Sequence, residues 1–139
     1  MNLKSFLREN AEVVNNQKVV ISERFKDDKG KPIPFEIRAL SEKEVEQLRK
    51  ACIKRVKVKK GSYDDELDSS LLATKMIIES VVYPPLKSEE LQKSYGVFGA
   101  EELVQAMFIS GEYSNLRAKV QEVSGYGVDL DEMVEEAKN

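Results

Sequence analysis

Residues 22–44, SERFKDDKGKPIPFEIRALSEKE, constrain the fold more than any other part of the chain, because a strand, a reversal, a second strand and a helix start are all written within them. On the outgoing side Val19, Ile21 and Phe25 share one parity and Ser22 and Arg24 the other. On the return Ile33, Phe35 and Ile37 alternate with Glu36 and Arg38, the two-residue period of a half-buried strand. Asp27, Asp28, Lys29, Gly30, Lys31 and Pro32 supply the turn chemistry between them. The hairpin is expected over about residues 18–39. Ser41 stands three residues before Glu44, a capping box in which the hydroxyl and the carboxylate each satisfy a free backbone amide, so a helix should begin there.

The rest of the chain reads mostly as helix. Leu3, Phe6 and Leu7 recur at helical spacing, which predicts a short helix over residues 2–10 docked on the body. Leu40, Val45, Leu48 and Cys52 mark the buried stripe of the helix that Ser41 opens. A second helix is expected over residues 64–82, with Asp64, Asp65, Glu66 and Asp68 at the positive end of its dipole and Pro84 and Pro85 stopping it. Its apolar residues spread around most of its circumference, which makes it the central helix. Shorter helices are expected over residues 88–95, 100–109 and 112–123. The last is stopped by Ser124 and Gly125. Beyond the joint Gly125-Tyr126-Gly127, Asp129 and Glu132 repeat a capping arrangement, and Leu130, Met133, Val134 and Ala137 form an amphipathic turn and a half.

The fold class expected is α+β: a predominantly helical single domain with an N-terminal antiparallel β-hairpin. Residues 1–124 form the hairpin-plus-helices domain and residues 125–139 a flexibly joined C-terminal amphipathic helix. A chain of 139 residues suits one core. No window approaches the roughly 20 apolar residues that span a bilayer, and the N-terminus lacks the apolar run of a signal peptide, so a cytosolic protein without membrane contact is expected.

Composition narrows the chemistry. Histidine is absent, which removes the commonest general base and transition-metal ligand, and the single Cys52 lies among apolar neighbours on a helix. Asp64, Glu66 and Asp68 have the alternate spacing of a calcium loop, but the sixth and twelfth positions hold Ser69 and Lys75 where that loop needs Gly and Glu. Gly30-Lys31 is followed by Pro32, unlike a phosphate-binding loop, and the apolar Gly96-Val97-Phe98-Gly99 reads as a turn between helices. No catalytic, cofactor or metal site is expected. Lys54, Arg55, Lys57, Lys59 and Lys60 could contact phosphates. Four carboxylates follow closely and no aromatic residue interleaves, so the run also suits an edge strand beside the hairpin, with Val58 hinting at a third strand.

In this order of elements the chain resembles the XkdN-like tail assembly chaperones of prophages and tailed phages. The resemblance rests on LKSFLREN, RFKDDKGKPIPFEIRAL, the proline pair after the long helix, LQKSYGVFGAEELVQAMFISGEY and VDLDEMVEEAKN, and covers nearly the whole length. It implies a non-enzymatic protein of the host cytoplasm, absent from the mature virion. Its implied partner is the long helical tape measure protein, held until tail tube subunits polymerise around it, with the tail tube protein as a second candidate partner. The resemblance also implies that such proteins are often made in two lengths by ribosomal frameshifting, and Ala137-Lys138-Asn139 can be encoded with a slippery A AAA AAC heptamer. The alternatives from other classes are a structural component of the tail and a nucleic-acid-binding regulator.

Leu130, Met133, Val134 and Ala137 are the candidate partner-binding residues. Burying the first three is worth about 1.5–3 kcal/mol each, while ordering about nine residues costs roughly 1–2 kcal/mol apiece. Alone the segment is marginal, and either a partner or its own domain can tip it.

Overall fold

A computed structural model describes residues 3–127. The chain is an α+β domain of five helices and two small antiparallel sheets. Strand β1 (Gln17–Val19) pairs with β2 (Phe35–Ile37), Val19 opposite Phe35 and Gln17 opposite Ile37. Between them the chain leaves the ladder and rejoins it at the tip, where the Ile33 amide donates to the Phe25 carbonyl at 2.8 Å. Asp27 builds that tip: its Oδ1 accepts from the Lys29 and Lys31 amides at 2.8 and 2.9 Å, and Gly30 takes φ 79°. A Gly is required here because a side chain at positive φ crowds its own backbone.

Helix α1 (Glu42–Ala51) starts where the capping box places it. The Ser41 hydroxyl accepts from the Glu44 amide at 3.2 Å, and the Glu44 carboxylate accepts from the Ser41 amide at 3.1 Å. Strand β3 (Ile53–Lys59) then turns at Gly61 into β4 (Ser62–Leu67), a ribbon exposed along most of its length. At its root the Asp68 amide donates to the Cys52 carbonyl at 2.8 Å.

Helix α2 (Ser69–Ser80) carries Ala73, Thr74, Met76, Ile77, Ile78 and Ser80 into the interior and runs directly into β5 (Val81–Tyr83). Strand β5 pairs with β2, completing the order β1-β2-β5. Helices α3 (Glu89–Ser94), α4 (Ala100–Met107) and α5 (Ser110–Val123) come after it. The core forms where Phe35 and Ile37 of β2 meet Ile77, Leu103, Leu116 and Val120 of the helices. Phe25, Phe35 and Phe108 pack with ring centroids 5.8–6.3 Å apart.

Three expectations are corrected. Asp64, Asp65 and Glu66 belong to β4, so the second helix begins only at Ser69, with the Asp68 carboxylate accepting from the Leu71 amide at 3.1 Å. Opposite charges across the ribbon, Lys54 facing Glu66 and Arg55 facing Asp65, reward the strand over the helix. That helix also ends at Ser80, because Val81 and Tyr83 supply the sheet's third strand; Val58 lies instead in the separate ribbon. Finally, the N-terminal stretch makes only a 3-10 turn, Leu3–Phe6, and it does not dock: Leu3 and Phe6 are 72% and 79% exposed.

Candidate partner-binding surface

A groove of about 620 Å³ lies between α2, α4 and α5. Leu71, Val104 and Phe108 contribute its apolar lining, while Asp68, Ser70, Gln105, Ser110, Tyr113 and Arg117 bring polar groups. Thr74, buried in α2, shares a hydrogen bond with the Tyr113 hydroxyl at 3.0 Å, tying two walls together. Arg117 has neither an ion pair nor a hydrogen bond among the described residues. The lining is therefore mixed, three apolar side chains among seven polar ones.

The corner between α4 and α5 forms one end of this groove, and a clamp from the far side of the chain holds it. Arg24 donates from Nε and Nη2 to the two oxygens of Glu112 at 2.9 and 2.6 Å, and from Nη2 to the Met107 carbonyl at 2.9 Å. Glu112 also accepts from the Ile109 amide at 2.9 Å, capping the start of α5 where Ile109 offers no side-chain acceptor. The Arg24 hydrogen bonds are the main cause that holds the Glu112 carboxyl down at about 2. A similar fork joins Arg38 to Glu44, whose carboxyl is likewise held at about 2.

A second groove, of about 480 Å³, lies at the other end of α5 among Val14, Ala39, Leu40, Glu44 and Val123. Other apolar side chains stand out in solvent, notably Val13 at 82% and Phe98 at 88% exposure. The basic run has a less distinctive setting. Lys54 and Arg55 face Glu66 and Asp65 across the ribbon, whereas Lys57 faces Tyr63 and Lys59 faces Ser62, and the Arg55 guanidinium sits 5.0 Å from the Tyr63 ring centroid. Among the described residues no group of three or more His, Cys, Asp or Glu could hold a metal ion, and no helix is long and apolar enough to cross a membrane.

The sequence-derived contact residues Leu130, Met133, Val134 and Ala137 lie outside the described residues. Neither the groove nor the Arg24 clamp was evident from sequence. The groove draws on three separate helices, and residues 24 and 112 are too far apart for any local pattern. The one local hint was Glu112 three residues after Ile109, the N3 position of a helix start.

The fold defines a small α+β domain that presents a groove and several exposed apolar side chains. The chain belongs to the phage XkdN-like tail assembly chaperone family, whose profile matches residues 3–138. Among its relatives is the phage-like element PBSX protein XkdN of Bacillus subtilis, 34% identical over 123 residues, which are 88% of this chain and 83% of that protein. YqbN of the same organism is 33% identical over 122 residues, 87% of this chain and 82% of that one. The crystal structure of YqbN superimposes with a TM-score of 0.75 at 27% identity, covering 91% of this chain and 98% of that chain.

Proposed function

We propose that this protein acts without catalysis, holding the phage tape measure protein in the host cytoplasm during tail assembly and staying out of the finished virion. Family membership supplies the assembly role. The observation that supports a helical client is the groove between α2, α4 and α5: its apolar lining and polar groups suit an amphipathic helix laid into it. A tape measure chain exposes long apolar helical stripes until the tube encloses them, and covering those stripes reversibly keeps it soluble. Leu130, Met133, Val134 and Ala137 add a second apolar contact to the same client. The tail tube protein is the next partner, since it takes over the released tape measure.

The carboxylates Glu66 and Asp65, opposite Lys54 and Arg55, weigh against the nucleic-acid reading for that half of the ribbon. Co-expression with the tape measure protein of the same phage element, followed by size-exclusion chromatography with light scattering, tests the proposal. A co-eluting complex, with the tape measure insoluble when expressed alone, is the expected result. A tape measure that stays insoluble, or this chain recovered in purified particles, would overturn it.

A further inference from the structure

The assembly role leaves the basic run unused, and the ribbon β3–β4 gives that run a setting the sequence does not show. Residues 56–63, VKVKKGSY, hold three lysines and no carboxylate. The acidic residues of β4 sit nearer the root: Glu66 faces Lys54, Asp65 faces Arg55 and Asp64 faces Val56. Lys57, Lys59 and Lys60 are exposed and form no ion pair among the described residues. Neither strand contributes a residue to the hydrophobic core, so packing makes no demand on these side chains.

Across the ribbon stands an aromatic ring that the run itself lacks. Lys57 is paired with Tyr63 and Arg55 with Asp65, so Arg55, Lys57 and Tyr63 share one face. The Arg55 guanidinium lies 5.0 Å from the Tyr63 ring centroid, and Tyr63 is 51% exposed. The register shift between Lys57 and Lys59 and the turn at Gly61, φ 79°, bring Lys59 and Lys60 to the tip. The distal half of the ribbon is thus cationic, with a ring half open to solvent on one face.

We propose that this distal half binds single-stranded nucleic acid, with Arg55, Lys57, Lys59 and Lys60 neutralising backbone phosphates and Tyr63 stacking on an unpaired base. Cations that track a backbone beside an aromatic ring are the usual components of such a site, and stacking on the ring tolerates any base. The ring decides among the polyanions. An acidic peptide satisfies the lysines but brings no base to Tyr63, and a duplex keeps the faces of its bases stacked inside. The proposal is independent of the tape measure reading, since this site and the groove between α2, α4 and α5 share no residue.

Fluorescence anisotropy of a labelled oligothymidylate of about 20 nucleotides, longer than one such site, titrated with the full chain over a salt series, tests it. The expected result is binding at low salt whose affinity falls with a log–log slope of about −2 to −3, at ~0.7 for each phosphate neutralised. The triple variant Lys57→Gln, Lys59→Gln, Lys60→Gln should weaken binding roughly tenfold or more and remove most of the slope. Tyr63→Ala should weaken it about fivefold or more with the slope unchanged, and Tyr63→Phe should retain it. The control triple Lys26→Gln, Lys29→Gln, Lys31→Gln takes the same charge from the exposed hairpin tip and should change affinity by less than about threefold. All these side chains lie outside the core, so every variant should keep the wild-type melting temperature. Absence of salt-dependent binding, an equal loss in the two triples, no loss with Tyr63→Ala, or a duplex bound as tightly as the single strand would each overturn the proposal.

Discussion

Leu116 is the residue whose truncation the core should feel most directly. Its side chain is fully buried on the inner face of α5, in one cluster with Ile77 and Leu103. Replacing it with alanine removes three carbon atoms, about 2.4 kcal/mol at roughly 0.8 kcal/mol per buried methylene. If the helices relax only in part, a residual cavity of ~40 Å³ adds about 1 kcal/mol at ~24 cal/mol per Å³. The total of ~3–3.5 kcal/mol is a large share of the ~5–15 kcal/mol that holds such a domain folded. At about 3–5 °C per kcal/mol for a chain of this size, the melting temperature should fall by roughly 10–15 °C. Phe98→Ala is the matched control: the ring is larger but 88% exposed, and the change should stay within about 0.5 kcal/mol. Urea unfolding followed by circular dichroism separates the two, because a pure stability change moves the midpoint and leaves the slope alone. The reasoning is refuted if Leu116→Ala costs no more than Phe98→Ala.

The carboxyls of Glu112 and Glu44 are held at about 2, against an ordinary 4.5, first of all by their hydrogen bonds to Arg24 and Arg38. A depressed carboxyl stabilises the fold above its unfolded pKa and loses that contribution as pH falls through the folded value, so Glu112→Gln should flatten the loss of stability between pH 4.5 and 2. Urea midpoints measured across that range at fixed ionic strength check this, and parallel profiles for variant and wild type would contradict it. Ser41→Ala removes half of the α1 capping box and should cost about 0.5–2 kcal/mol, read from the urea midpoint. Burial pushes the Cys52 thiol pKa up, so a thiol reagent at about pH 8 should label the native protein slowly and at a rate that tracks unfolding when urea is added.

What the sequence discloses depends on how locally each element is specified. Helix α1 is announced by Ser41 and Glu44, and α3 by Ser88, whose hydroxyl accepts from the Leu91 amide. Both caps act within three residues. The acidic stretch before α2 is equally suited to a helix dipole and to the acidic side of a charged ribbon; Arg55 and Lys54, ten and twelve residues upstream of their partners, decide in favour of the ribbon. Val81 and Tyr83 continue the apolar run of α2 without a break, and only pairing with β2 shows that the helix has already ended. Leu3, Phe6 and Leu7 have helical spacing but no surface to bury it on, and a helix of so few residues does not persist in water by propensity alone. The groove and the Arg24–Glu112 clamp belong to the tertiary level, where three helices and a loop from the other end of the chain converge.

The ribbon β3–β4 enters and leaves the domain at one place, where the Asp68 amide is bonded to the Cys52 carbonyl. Everything between those residues is therefore a detour that the core does not measure. Because closing a longer excursion costs only about 0.6 kcal/mol for each doubling of its length, this root can carry a ribbon of almost any length, or a different module altogether. Relatives could diverge here in size and charge while keeping the same helices, and an engineer wishing to attach a reporter without disturbing the groove would insert it at the Lys60–Gly61 tip.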